Sequence, residues 1–110
     1  LVAICKEPAQ QFGQLSSEAF VALQQVTAAM ESALKLSFGY AKLNYLMLMM
    51  VDPDVHFHVI PRYEGSRDMH GVAVCDVGWP GPPRLDQAVS PNQEQTRRLV
   101  DEFKRIWSES

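Results

Sequence analysis

Two histidines two residues apart, His56 and His58, stand in the segment Asp54-Val55-His56-Phe57-His58-Val59-Ile60-Pro61-Arg62-Tyr63. Alternate side chains of a β-strand share a face, so an extended segment here turns Val55, Phe57 and Val59 one way and Asp54, His56, His58 and Ile60 the other. Residues two apart on one face are separated by roughly 6.5–7 Å, close enough for both imidazoles to touch one phosphate chain or one metal ion. A single histidine on a strand is more often structural. A pair on the polar side of an otherwise apolar strand, followed by Pro61-Arg62, points to function. The third histidine, His70, lies in a glycine-rich segment and is expected to be exposed rather than catalytic.

The elements around this segment follow from its flanks. Leu1 to Cys5 is an apolar run expected to form a buried strand, broken by Lys6-Glu7-Pro8, and Ala9 to Gln14 is polar, as a surface connection should be. Ser16 is a candidate N-cap, with Leu15 placed to pack against Phe20 as a hydrophobic staple. Phe20, Leu23, Val26, Met30, Ala33 and Leu34 recur at helical spacing, and Gly39 offers the left-handed position that ends the helix. Lys42 to Val51 carries apolar residues on both parities, which predicts a strand buried on both sides, its methionines serving as core filler. Asp52-Pro53 is turn chemistry, so this strand and Val55 to Tyr63 should pair antiparallel.

From Glu64 to Ser90 the glycines and the run Trp79-Pro80-Gly81-Pro82-Pro83 predict a long irregular segment, with a short strand at Gly71 to Cys75. Ser90-Pro91-Asn92-Gln93 supplies a cap, a proline at the first helical position and Gln93 as the capping-box partner. The helix that follows has Leu99, Val100, Phe103, Ile106 and Trp107 as its apolar stripe, and Glu94 to Arg98 and Asp101 to Arg105 as i,i+4 pairs.

Composition bounds the rest. The 110 residues fit one domain, with 1–63 as a core holding the histidine segment and 64–110 as an irregular loop plus a helix. Ten Lys and Arg against 13 Asp and Glu give a net charge of −3, and no local basic patch offsets it, which argues against nucleic-acid partners. The longest uncharged apolar run, Leu46 to Val51, is far short of the roughly 20 residues that cross a bilayer, so no membrane partner is expected. Cys5 and Cys75 form no metal-ligand spacing and no disulfide framework, and a reduced cytoplasmic setting is the default. The chain opens on Leu1 inside an apolar strand, and the expectation is that its natural start lies upstream.

His56-Phe57-His58-Val59-Ile60-Pro61-Arg62 resembles the end of the histidine-triad (HIT) motif, His-apolar-His-apolar-His followed by two apolar residues. The order of elements over about residues 1 to 63 resembles that family as well: a strand ending in Cys5-Lys6, a connection through Phe12 and Leu15 into a long helix, the Leu43-Asn44-Tyr45 strand, then the histidine strand. Gly78 to Pro83 and the final helix resemble the tail of a bacterial, diadenosine polyphosphate hydrolase-like branch. The resemblance implies an α+β fold, an antiparallel sheet of about five strands with two helices, assembled as a homodimer. It implies a nucleotide-binding hydrolase of dinucleoside polyphosphates or nucleoside phosphoramidates, in which His56 attacks the α-phosphorus and forms a nucleotidyl-histidine. His58 would contact phosphate oxygens or help orient the site, Asn44 and Arg62 would bind substrate, and Arg67 would add general attraction for the anion. No cofactor is implied, apart from a divalent cation accompanying the substrate.

The chain departs from the family pattern at three polar positions. The first motif histidine is Asp54, whose carboxylate opposes an anionic substrate, or else accepts a hydrogen bond from an imidazole and raises its basicity. As a plain structural residue, Asp54 would only serve the turn after Pro53. The histidine that often precedes the first helix is matched by Gly13, and Val51-Asp52-Pro53 replaces an upstream Gly-x-Ser/Thr-Val segment. These gaps leave two further readings: a nucleotide-binding protein or nucleotidyltransferase with weakened catalysis, and a metal site in which Asp54 or His70 joins His56 and His58.

Overall fold

The computed structural model describes residues 1–87 and 90–109. The apolar run at the start forms β1 (Val2–Ile4), and the long periodic stretch forms α1 (Ser17–Phe38) after a single 3-10 turn at Phe12–Gln14. Next come β2 (Lys42–Leu46), β3 (His56–Arg62), β4 (Ser66–Met69), β5 (Val72–Cys75) and α2 (Gln93–Glu109). The five strands are antiparallel throughout and divide into a three-stranded sheet, ordered β1-β3-β2, and the separate hairpin β4-β5.

The boundaries of α1 are chemical. The Ser16 side-chain oxygen accepts the Ala19 N–H at 3.1 Å, and the Glu7 carboxylate in turn receives both the backbone N–H and the hydroxyl of Ser16. At the other end Gly39 takes φ +57°, the left-handed conformation that costs glycine least. The second half of α1 lies on one face of the sheet, where Met30, Leu34, Phe57 and Val59 form the core with Leu43, Met47 and Phe103 packed against them. α2 lies beside α1, the Phe103 ring stacked on Phe38 at 6.3 Å.

Several expectations change. β1 is an edge strand whose Val2 and Ile4 are 48% and 59% exposed, not a buried one. The strand expected over Lys42–Val51 ends at Leu46; Met49 then adopts a positive φ, and Met50 and Val51 stand almost wholly in solvent. The apolar parity that would have buried them has no second layer to pack on among the described residues. The first half of α1 is likewise only partly covered, leaving Phe20 and Val26 exposed beside a groove of about 420 Å³ along β1. Phe20 meets Phe12 edge to face, a ring three residues before Leu15 in the connection.

The short strand expected at Gly71 to Cys75 is present as β5, and β4, which was not expected, pairs with it in a hairpin whose turn is made by His70 and Gly71, both at positive φ. Residues 88 and 89 of the segment expected to be irregular lie outside the described residues. α2 starts two residues later than anticipated, at Gln93 rather than Pro91. Asn92 and Gln95 exchange reciprocal backbone-to-side-chain bonds at 2.8 and 2.9 Å, so Gln95 rather than Gln93 closes the capping box. On its surface Glu94 pairs with Arg98 as expected, whereas Arg105 pairs with Glu102 and Glu109 instead of Asp101.

Candidate active site

β3 is the middle strand of the main sheet, and its alternation is clean. Val55, Phe57 and Val59 are buried toward α1, while His56, His58 and Ile60 turn to the opposite face and are only half-buried. The register carries Val2 and Ile4 of β1 and Leu46, Asn44 and Lys42 of β2 onto that same face, because directly paired residues of antiparallel strands point the same way. The two histidine rings meet edge to face with centroids 5.7 Å apart.

His56 is oriented by the backbone. Its Nδ1 lies 2.7 Å from the carbonyl oxygen of Asp54. A carbonyl only accepts, so it selects the form with hydrogen on Nδ1 and leaves the Nε2 lone pair free. The Asp54 carboxylate is exposed and does not supply that acceptor. Asp54 instead donates its own N–H to the Asp52 side chain at 2.9 Å, a turn bond that fixes the carbonyl.

Arg62 and Asn44, the expected substrate contacts, are committed elsewhere. The Arg62 side chain is buried and bonds Asp76 through Nε at 2.7 Å and Nη2 at 3.1 Å, Asn44 Oδ1 at 2.6 Å and the Gly81 carbonyl at 2.8 Å. Four of its five N–H groups thus have protein partners, and its charge meets Asp76 rather than a phosphate. Asp76 also receives the N–H groups of Tyr63 and Gly78. The Arg62 hydrogen bonds hold its carboxyl below the ordinary aspartate range, burial opposing them. This network went unseen in the sequence because its members are 14 to 19 residues from Arg62 or on another strand.

The fold has counterparts among solved structures. A histidine triad protein from Sinorhizobium meliloti superposes with a TM-score of 0.72 at 24% identity, covering 99% of this chain and 73% of that one. One from Marinobacter aquaeolei gives 0.76 at 23% identity over 98% and 73%, and one from Bradyrhizobium japonicum 0.74 at 20% over 96% and 72%. The chain has the histidine-triad fold. No protein-family model and no curated protein matches it at the sequence level.

Within the histidine-triad fold the remaining candidates take structural places. Arg67 donates to the Gly39 carbonyl at the end of α1 and lies 4.8 Å over the Tyr63 ring, so its charge serves a helix terminus. Burial pushes the Tyr63 hydroxyl up to about 12, with Arg67 acting in the opposite direction. His70 is exposed, as expected, and its Nε2 lies 3.0 Å from the Ser37 carbonyl. It joins the hairpin to α1 and does not join His56 and His58. Among the described residues no three His, Cys, Asp or Glu side chains are placed to hold a metal ion, so the metal reading lacks a third ligand. No helix among them is long and apolar enough to cross a membrane.

Proposed function

We propose that the protein is a nucleotide phosphohydrolase of the histidine-triad type, cleaving a dinucleoside polyphosphate or a nucleoside phosphoramidate through a nucleotidyl-histidine on His56. The observation that carries this reading is the 2.7 Å contact from His56 Nδ1 to the Asp54 carbonyl, on an accessible face beside His58. It supplies what a nucleophilic imidazole needs: a fixed tautomer, a fixed ring plane and an unoccupied Nε2.

In the first displacement Nε2 forms a bond to the α-phosphorus as the bond from phosphorus to the departing phosphate or amine breaks, its electron pair leaving with that group, the amine nitrogen having taken a proton from solvent. Nδ1 keeps its hydrogen, so the nucleotidyl-imidazole is cationic and a good leaving group. Water then forms a P–O bond, the N–P pair returns to Nε2, and the water proton passes to solvent. His58 lies within reach of the phosphoryl oxygens throughout. The sequence needs no resident cofactor, although a divalent cation would enter with a polyphosphate. The reading includes a cytoplasmic homodimer, for which exposed Phe20, Val21 and Val26 on α1 offer apolar surface; light scattering reports that state directly.

Asp54 favours a second reading, nucleotide binding with weakened turnover, because its exposed carboxylate sets negative charge beside an anionic substrate. One experiment separates the two. The protein and its His56→Ala variant are incubated with adenosine 5′-phosphoramidate and with diadenosine tetraphosphate, following AMP release and intact mass. AMP release that requires His56, with a transient adenylyl increment, supports the hydrolase. AMP binding without turnover supports the second reading, and turnover that survives His56→Ala excludes His56 as nucleophile.

A further inference from the structure

We propose that Trp79 and Lys42 form a second nucleoside subsite at the far end of the histidine face, which takes the distal nucleoside of a dinucleoside polyphosphate. The inference rests on the nucleotide reading of His56 and His58 and narrows it to the longer of the two substrate classes.

The face does not end at His58. Ile60 and Arg62 continue it along β3, and Asn44 and Lys42 flank them across the sheet. Because the Arg62 side chain projects from that face and holds both Asp76 and the Gly81 carbonyl, the loop from Asp76 to Pro82 is fastened on top of it. The loop is tightly folded: a Cβ on Gly78 would stand 2.4 Å from the Pro82 carbonyl oxygen, so only glycine fits there. Between this loop and β2 lies a crevice of about 450 Å³, lined by Lys42, Asn44, Arg62, Trp79 and Pro80 among others. That volume falls in the range of small-ligand sites.

The lining suits a nucleoside with phosphates attached. The indole of Trp79 is half-exposed, offering a flat surface on which any base can stack. Asn44 and Arg62 are spent on each other, and the Arg62 charge is matched by Asp76. Lys42 is exposed and, among the described residues, has no acidic partner, leaving its ammonium available to a phosphate. Six residues of strand, roughly 20 Å, separate His56, where the α-phosphorus is attacked, from Arg62, a reach on the order of a polyphosphate bridge with its distal nucleoside and closed to a phosphoramidate, which ends beyond its single phosphorus.

The test uses equilibrium binding to the His56→Ala protein, so that turnover does not intrude, with AMP and diadenosine tetraphosphate as probes. The expected result is tighter binding of the dinucleotide, with the ratio of the two affinities falling about tenfold in Trp79→Ala, the size of one lost base stack. Trp79→Phe should retain most of the ratio, which also guards against a loop that fails to fold. Lys42→Ala, an exposed change, should lower the ratio about threefold and less at high salt. Equal affinity for both probes, or a ratio that neither substitution moves, overturns the subsite alone. Failure of AMP itself to bind overturns the nucleotide reading and the subsite with it.

Discussion

The Arg62 guanidinium and the Asp76 carboxylate meet in a two-point clasp, Nε to Oδ2 at 2.7 Å and Nη2 to Oδ1 at 3.1 Å, with side chains only 5% and 10% exposed. The pair ties the last residue of the histidine strand to the loop that follows β5. Its burial makes each partner dependent on the other, since a buried charge without its counter-ion is far more costly than the intact pair is favourable.

Asp76→Ala is therefore expected to destabilise the fold by about 3–5 kcal/mol, read as a lower urea midpoint. The pH dependence has a definite sign. The folded Asp76 carboxyl is held below its ordinary value of 3.8, so its contribution is complete above that pH and is lost as pH falls below it toward the depressed native value. Asp76→Asn should flatten the acid limb of the stability curve in that range while leaving its shape near neutrality unchanged.

Asp54 and His56 make a second prediction. The acceptor for His56 is the Asp54 backbone carbonyl, which any residue supplies. Asp54→Ala should therefore preserve the orientation of His56 and remove a negative charge near the substrate. The expected change in kcat/KM is a rise of about two- to fivefold at low ionic strength, corresponding to roughly 0.5–1 kcal/mol across water. A large loss of activity would instead assign the carboxylate a direct role.

The methionines separate by position rather than by type. Met30 is 1% exposed in the core, so Met30→Ala should cost about 2–5 kcal/mol. Met50 is 82% exposed, and Met50→Ala should change stability by less than about 0.5 kcal/mol. Denaturant titration of the two variants compares them on one scale.

Gly39 ends α1 at φ +57°, and a Cβ there would approach Arg67 Nη1 at 3.3 Å. Gly39→Ala is expected to cost about 1–2 kcal/mol from the left-handed backbone alone. In a domain of this size that corresponds to a fall in Tm of several degrees, on the order of 4–8 °C per kcal/mol, measurable by circular dichroism.

Local chemistry made part of this protein legible in its sequence. Alternation along Val55–Tyr63 is fixed by the geometry of an extended chain, so the shared face of His56 and His58 followed from residue order alone. The caps of α1 at Ser16 and Gly39 were legible for the same reason, each depending on a few neighbouring backbone groups. What lies on top of an element is a tertiary matter. Val2, Ile4, Met50 and Val51 have the same hydropathy whether or not a second layer covers them, and here all four stand exposed, while their neighbours Ala3 and Met47 pack against the core. Of the β4-β5 hairpin only β5 was legible; β4 was obscured because Arg67, Asp68 and His70 look like loop residues, although their partners lie at the end of α1, on α2 and in the turn itself. Arg62 was the sharpest divergence. Its place on the histidine face followed from strand periodicity, but its role was decided by Asp76 and Gly81, which only the folded chain brings within hydrogen-bond distance.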